Sequence, residues 1–505
     1  MRLLHAASRI SVLTAAAMVL AGCFAFAPEK VSRYPSADDE AKGTAVYQPR
    51  GDVDEELGLK KSEPAARAEV ETARAAAAPA ADSAAAPEAA PEKRTEPAAE
   101  TAGADAPVEA ASAPEEPAAA PAPAAVDAKI RISLCDPRAS LKLTFPAGST
   151  SSDSSGADWK LVSSKKIDAT ASLCGNEICL KSELGSKKLP LPARIRPAGG
   201  EFLALDGKPH RGELWLRADG KSLRPVLELQ VEEYLRGVVP LEIGKLDASG
   251  LEAMKAQAVA ARTYTVRHAG QNAASGFDLH SDTRDQVYGG VRAEDSLSSR
   301  AVSETAGLIV AWKGEPIEAY YHSTCAGRTA DASQVWNAAP VPYLASVPDA
   351  SPEGPWCAAS SYMRWERTWT WDELDQLLAK ALPAARPDPA VRLSRFERIQ
   401  ILDTLDDGRV KRMEIVGDGS KRVIVKGDRV RWFLANPKQP SSILPSARFR
   451  LEPWEDKGIK AIGSGFGHGI GLCQMGARGR SKAGQSFREI LQAYYPGTKI
   501  EQMKR

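Results

Sequence analysis

Two hydrophobic periods divide the chain. From about Ala128 to Gln230, apolar and polar residues alternate over short runs, KIRISL, LKLTF, WKLVSS and GELWLRA, separated by Gly, Ser, Pro and Asp. Period two between turn residues predicts short strands with one buried face. The pattern then changes. Leu251, Met254, Ala258 and Thr265 share one face at helical spacing. This predicts a helix that starts at Ser249, with Glu252 three residues on completing a capping box, and stops at Gly270. Farther on, the strand-like runs LIVAW, IEAYYH, RVKRMEIV and KRVIVKG are interspersed with the helical runs TWDELDQLLAKAL and SFREILQAYY. Strands and helices mix without a regular βαβ repeat, so the expected class is α+β. Residues 128–230 form its β-rich first part and residues 231–505 its mixed core.

Neither period is present before Ala128. Arg2 and Arg9 precede an apolar run from Ile10 to Leu20, too short to span a bilayer and shaped like a signal peptide. Leu20-Ala21-Gly22-Cys23 ends it in a pattern like a bacterial lipobox. Residues 1–22 are therefore expected to be a cleaved signal, with Cys23 lipidated and anchoring an exported protein that faces the periplasm or cell wall. Residues 23–127 are dominated by Ala, Pro and Glu, with too little apolar bulk to offset the entropy of ordering. They are expected to be a disordered tether spanning on the order of 55 Å as a flexible coil.

Charge alters the picture once it is divided. The whole chain holds 66 Lys+Arg against 65 Asp+Glu. Residues 24–127 carry 21 acidic and 10 basic side chains, and residues 128–505 carry 44 and 54, a net of +10 in the folded part. A basic exported domain suits an anionic wall polymer rather than nucleic acid. Six cysteines remain beyond Cys23, with no Cys-x-x-Cys pair, which argues against a ribbon-type zinc site. Cys325 and Cys357 flank a long Pro- and Ala-rich segment and are expected to form a disulfide, as are Cys174 and Cys179.

Three stretches hold candidate chemistry. In VVPLEIG, Glu242 stands between Leu241 and Ile243, and an ionised carboxylate among apolar neighbours is costly. Arg262 falls on the apolar face of the predicted helix, where it needs partners. In GSGFGHGIGLCQMGARG, glycines surround His468 and permit close backbone approach, without the strand and acidic residue of a dinucleotide site. In AYYHSTCAGRT, His322 and Ser323 are adjacent on a strand and point to opposite faces, which disfavours a nucleophile pair.

These stretches, with VEEYLRGVVPLEIG, LEAMKAQAVAARTYTV, SDTRDQVYGG, LPSARF and FREILQAYYPGTKI in the same order, resemble the SpoIID/LytB family from about Ile130 onward. The resemblance implies a glycan-binding groove and lytic transglycosylase activity on peptidoglycan strands stripped of their peptides. The family's catalytic glutamate falls on Glu242. It would protonate the leaving oxygen and then take a proton from the C6 hydroxyl of N-acetylmuramic acid, closing a 1,6-anhydro ring with no second carboxylate. Arg262, Tyr264, Gln286, Tyr288, His468 and Gln474 match family blocks and are expected to bind substrate. Some members hold zinc after the helix. Here only His280 remains there beside Asp282 and Asp285, so no metal and no cofactor are expected. Two alternatives stay open: a non-catalytic wall binder that activates an amidase, and a hydrolase pairing Glu242 with Asp282 or Asp285.

Overall fold

The structure, a computed structural model, describes residues 69–71, 128–156, 159–436 and 442–504. The expected signal segment, Cys23 and all of the expected tether except residues 69–71 lie outside them. Those three residues form a strand, Glu69–Glu71, antiparallel to Arg398–Gln400, so the expected tether pairs with the folded part at that point.

Residues 128–230 build two sheets. In one, Lys129–Ser133, Ser222–Gln230, Glu213–Asp219, Ala193–Arg196, Thr150–Ser152 and Lys160–Leu161 are neighbours in that order. Leu279–His280, from beyond this region, joins the edge parallel to Ile132 and Ser133. The other sheet orders Lys208–His210, Leu203–Leu205, Ser140–Phe145, Ile167–Cys174, Glu177–Ser182 and Gly185–Leu189. The alternation read from the sequence is what the pleat buries. Leu141, Leu143 and Phe145 point inward from one strand and Ile167, Ala169 and Ala171 from its neighbour, into a core shared with Ile195, Leu214 and Leu216.

Eight helices lie among the described residues: α1 Val231–Glu242, α2 Leu251–Arg267, α3 Ser296–Glu304, α4 Ala332–Trp336, α5 Trp371–Lys380, α6 Val430–Phe433, α7 Gln474–Lys482 and α8 Phe487–Tyr494. Helix α2 is surrounded, not half-exposed. Twelve of its 17 residues are buried, five of them alanines whose small side chains let the neighbours close in. Its start differs from the expectation. A 3-10 turn, Ala248–Gly250, precedes it, and Asp247 accepts the Ser249 N–H. Glu252 closes no capping box. Its carboxylate accepts instead from Lys255 and from the Phe487 N–H that opens α8. Tertiary donors outcompete the local cap.

A second core is inserted before α7. Helix α5 packs its Leu374, Leu377 and Leu378 with Trp369, Ile399, Met413, Ile415, Val423 and Ile459 from two antiparallel sheets. Helices α5 and α8 both carry capping boxes, Thr370 with Glu373 and Ser486 with Glu489. No helix among the described residues is long and apolar enough to cross a membrane.

Candidate active site

Helix α1 forms from a sequence that reads poorly as a helix. Gly237 and Pro240 both lie within it, and each ordinarily costs helix stability. Burial of Val231, Tyr234, Leu235, Val238 and Val239 overrides propensity. Gly237 has a packing reason: a Cβ there would lie 2.5 Å from the Tyr288 ring. The helix ends at Glu242, where the Ile243 N–H closes on the Val239 carbonyl and Gly244 turns away with φ +82°.

Glu242 is 4% exposed. Its Oε1 accepts the Val287 N–H at 2.9 Å. The loop that supplies this amide is tied on both sides. The Gly289 N–H donates to the Gly237 carbonyl at 3.1 Å, and Leu241 leans over Gly289. Ser281 donates its N–H to Ser133 O at 3.1 Å and its hydroxyl to Leu134 O at 3.0 Å. Helix α1, the 281–289 loop and the first strand of the β-rich part thus hold the carboxyl together. Burial, with Asp285 and Glu242 nearby, pushes the Tyr234 phenol well above its ordinary value.

A groove of about 770 Å³ passes the neighbours of Glu242, while Glu242 itself is not among its lining residues. Leu241, Val287, Tyr288 and Gly289 line it from the helical side, and Leu134, Arg138, Asp206, Lys208 and His210 from the β-rich part. That second wall was not anticipated, because nothing local in GKPH or CDPR marks a binding surface. Burial, reinforced by Lys208, lowers the His210 imidazole to about 4, so it is neutral near pH 7. The charged lining is balanced: Asp136, Asp206 and Asp282 face Arg138, Lys208 and Arg284. Arg138 pairs with Asp206 at 2.6 Å, and Arg284 bridges Asp282 at 2.6 Å and Asp136 at 2.9 Å. The net positive charge of the folded part is not concentrated here.

Of the residues expected to bind substrate, Tyr288 lines this groove. Arg262 is fully buried and forms a bidentate pair with Glu232, both contacts at 2.7 Å, while donating to the Leu308 and Val302 carbonyls. Tyr264 stacks on His268 and donates to Asp285 at 3.0 Å. Gln286 is fully buried, accepting from Thr265 and donating to Ala261 O and Tyr321. Gln474, buried, donates to Gln257. His468 sits in an aromatic group with Tyr320, His322 and Trp336. Gln286 and Tyr264 brace the loop from behind through α2, while the structure brings neither Gln474 nor His468 into this groove.

The second carboxylates are placed differently. Asp285 accepts from Tyr264 and Gln271 on one oxygen and from the His280 N–H on the other. Asp282 lines the groove, and the Arg284 hydrogen bonds overcome burial to hold its carboxyl below the usual value. With both carboxylates committed, the residues around His280 do not fit a zinc ion.

Cys174 and Cys179 form a disulfide across a hairpin. Cys325 and Cys357 do not, correcting the expectation: they are free thiols with sulfurs 3.7 Å apart. The pairing was read from two positions, and the fold brings Asp349 and Cys473 to the same place.

Residues 219–312, which hold α1, Glu242, α2 and the loop, match the family model described as Stage II sporulation protein. Residues 353–471, the inserted core, match a model described as a domain of unknown function. The chain is 30% identical over 327 residues to the stage II sporulation protein D of Bacillus subtilis (strain 168), covering 60% of this chain and 85% of that protein. It is 31% identical over 297 residues to a protein of Brachyspira hyodysenteriae, covering 59% and 73%. An amidase enhancer of Bacillus subtilis is 29% identical over 303 residues, 53% of this chain and 40% of that protein. The chain belongs to the SpoIID/LytB family.

Proposed function

We propose that this protein acts on the cell wall as a lytic transglycosylase, cleaving the bond between N-acetylmuramic acid and N-acetylglucosamine in peptide-stripped glycan strands with Glu242 as acid and then base. The observation that carries the reading is the placement of Glu242: nearly buried, oriented by the Val287 amide, and at the C-terminal end of α1 beside a groove. An ionised carboxylate gains nothing at the negative end of a helix dipole and is costly in apolar surroundings. Such a setting suits a group that must begin with a proton to give. The Val287 bond occupies Oε1 and leaves the carboxyl with a defined orientation, which a single residue serving both half-reactions needs.

The commitment of Asp285 to three donors weighs against its use as a second carboxylate. Asp282, on the groove wall, keeps the hydrolase alternative concrete. The relative named an amidase enhancer supports a second reading, a wall-bound modifier of an amidase. Anchoring through a lipid on Cys23 completes the proposal and would hold the domain at a membrane facing the wall. Mass spectrometry of purified peptide-free glycan strands after incubation with the full chain separates the readings. The transglycosylase yields 1,6-anhydro ends, the hydrolase free reducing ends, and the modifier no cleavage.

A further inference from the structure

The densest set of soft ligands in the described residues lies away from the groove. Cys325, Cys357, Cys473 and Asp349 are all buried, and each places a sulfur or carboxylate oxygen within 4.8 Å of the others. The sulfurs of Cys325 and Cys357 are 3.7 Å apart, and Cys325 Sγ is 3.1 Å from Asp349 Oδ2. A tetrahedral zinc with Zn–S of about 2.3 Å has ligand edges of about 3.8 Å. A disulfide would need about 2.05 Å. The spacing therefore suits one ion among four ligands, and it is too tight for an iron–sulfur cluster, whose thiolates grip its outer corners.

The surroundings are arranged for thiolates and for a ligating carboxylate. Cys473 Sγ accepts the N–H groups of Cys325 and Gly476, each at 3.3 Å. The backbone amides of Ala326 and Gly327 hydrogen-bond to Cys357, through a turn in which Ala326 has φ +58° and Gly327 φ +94°. A non-glycine residue held in that region marks a backbone constrained by its surroundings. On Asp349, the outer oxygen Oδ1 accepts from Arg480 Nε and Nη2, both at 3.1 Å, and from the Tyr494 hydroxyl at 2.8 Å. This leaves Oδ2 facing the sulfurs, the division of labour that outer hydrogen bonds impose on metal ligands. A Cβ on Gly476 would run into that carboxylate and the Tyr494 hydroxyl.

We propose that Cys325, Cys357, Cys473 and Asp349 bind one zinc ion in a closed structural site. Binding displaces the thiol protons to solvent as the three sulfurs and the carboxylate take the metal. The expectation of no metal rested on the missing Cys-x-x-Cys pairs and on the poor ligand set around His280. It did not weigh these four residues together, because they are separated by 32 and 148 residues along the chain. Their placement gives the ion a task. The inserted core leaves the chain after Cys357 and returns before Cys473, so one ion would fasten both of its ends to the segment from Cys325 to Asp349. None of the four lines the groove at Glu242, so the site stands apart from the proposed reaction.

The test begins with the wild-type full chain, purified without chelator and analysed by inductively coupled plasma mass spectrometry. About one zinc per chain is expected, falling at least tenfold in Cys473→Ser and Asp349→Asn. Because those variants can misfold, the wild type is also stripped and reloaded with cobalt. Tetrahedral d–d bands with a thiolate charge-transfer band are expected, together with protection of three cysteines from alkylation until chelator is added. A wild-type chain that carries no metal and takes up no cobalt would overturn the site. So would a Cys325–Cys357 disulfide found by peptide mapping of chain isolated without reductant. A different ion at the same stoichiometry would overturn the assignment to zinc.

Discussion

Glu242 and Asp349 are both buried carboxylates, and the two proposals give them opposite tasks. Glu242 accepts the Val287 N–H on Oε1, and its neighbours Leu241 and Val287, though not Glu242 itself, line the groove. Asp349 is fully buried, with Arg480 and Tyr494 on one oxygen and Cys325 on the other. Burial alone does not distinguish a reacting acid from a structural ligand. What differs is the neighbourhood: Leu241 and Val287 beside Glu242 line a groove, whereas Asp349 is enclosed by donors and sulfurs.

Substitution at each centre should break the comparison in opposite directions. Glu242→Gln should lower anhydro-product yield by roughly 10²–10⁴-fold, the usual worth of general acid–base catalysis. Its melting temperature should stay close to wild type, because the amide oxygen still accepts the Val287 N–H. An active variant would discard Glu242 as the acid. Asp349→Asn should do the reverse. It unbalances a buried group paired with Arg480, at a cost of about 3–5 kcal/mol in denaturant melts, while the folded fraction keeps its turnover. Unchanged stability there would remove Asp349 from the structural centre.

Arg262 sharpens the contrast, since its family block suggested substrate and its contacts are internal. Arg262→Met should cost about 3 kcal/mol, the lower end for a broken buried pair, because Glu232 is partly exposed and also accepts the Gly307 N–H. The KM of the folded fraction should not move, and a large rise in KM with intact stability would return Arg262 to the substrate. His210 tests the groove's second wall by pH. Its folded value is lowered to about 4 from an ordinary 6.5. Between those values the unfolded chain binds a proton that the folded chain refuses, so stability falls as pH drops from 6.5 towards 4. His210→Gln should flatten that part of the melting-temperature profile, and identical slopes would show that His210 does not titrate as its burial requires. The smallest effects belong to the balanced rim. Asp282→Asn should change activity by less than about threefold under the single-carboxylate reading. Glycan affinity should depend only weakly on salt although residues 128–505 carry a net +10, and a steep decline with ionic strength would show that the paired rim charges do not cancel.

The sequence by itself determined the local elements whose signals are short-ranged. The alternating runs of residues 129–230 became strands because a pleat buries every second residue whatever lies opposite. Thr370 and Ser486 cap their helices because a capping box is closed within four residues. Glu242 stood out in the sequence through its apolar neighbours and its family block, and the structure buries it at the end of α1. Tertiary structure decided the rest. Helix α1 survives Gly237 and Pro240 only because its apolar side chains are buried and Tyr288 fills the space above the glycine. Glu252 abandoned its predicted cap for Phe487, 235 residues away. The groove took its second wall from the β-rich part. The cysteine cluster gathered its side chains from distant points, and a disulfide inferred from two of them could not anticipate the third sulfur or the carboxylate. Local rules act through the backbone between near neighbours. Ligand geometry and groove walls depend on where the chain crosses itself, and no sequence spacing records that.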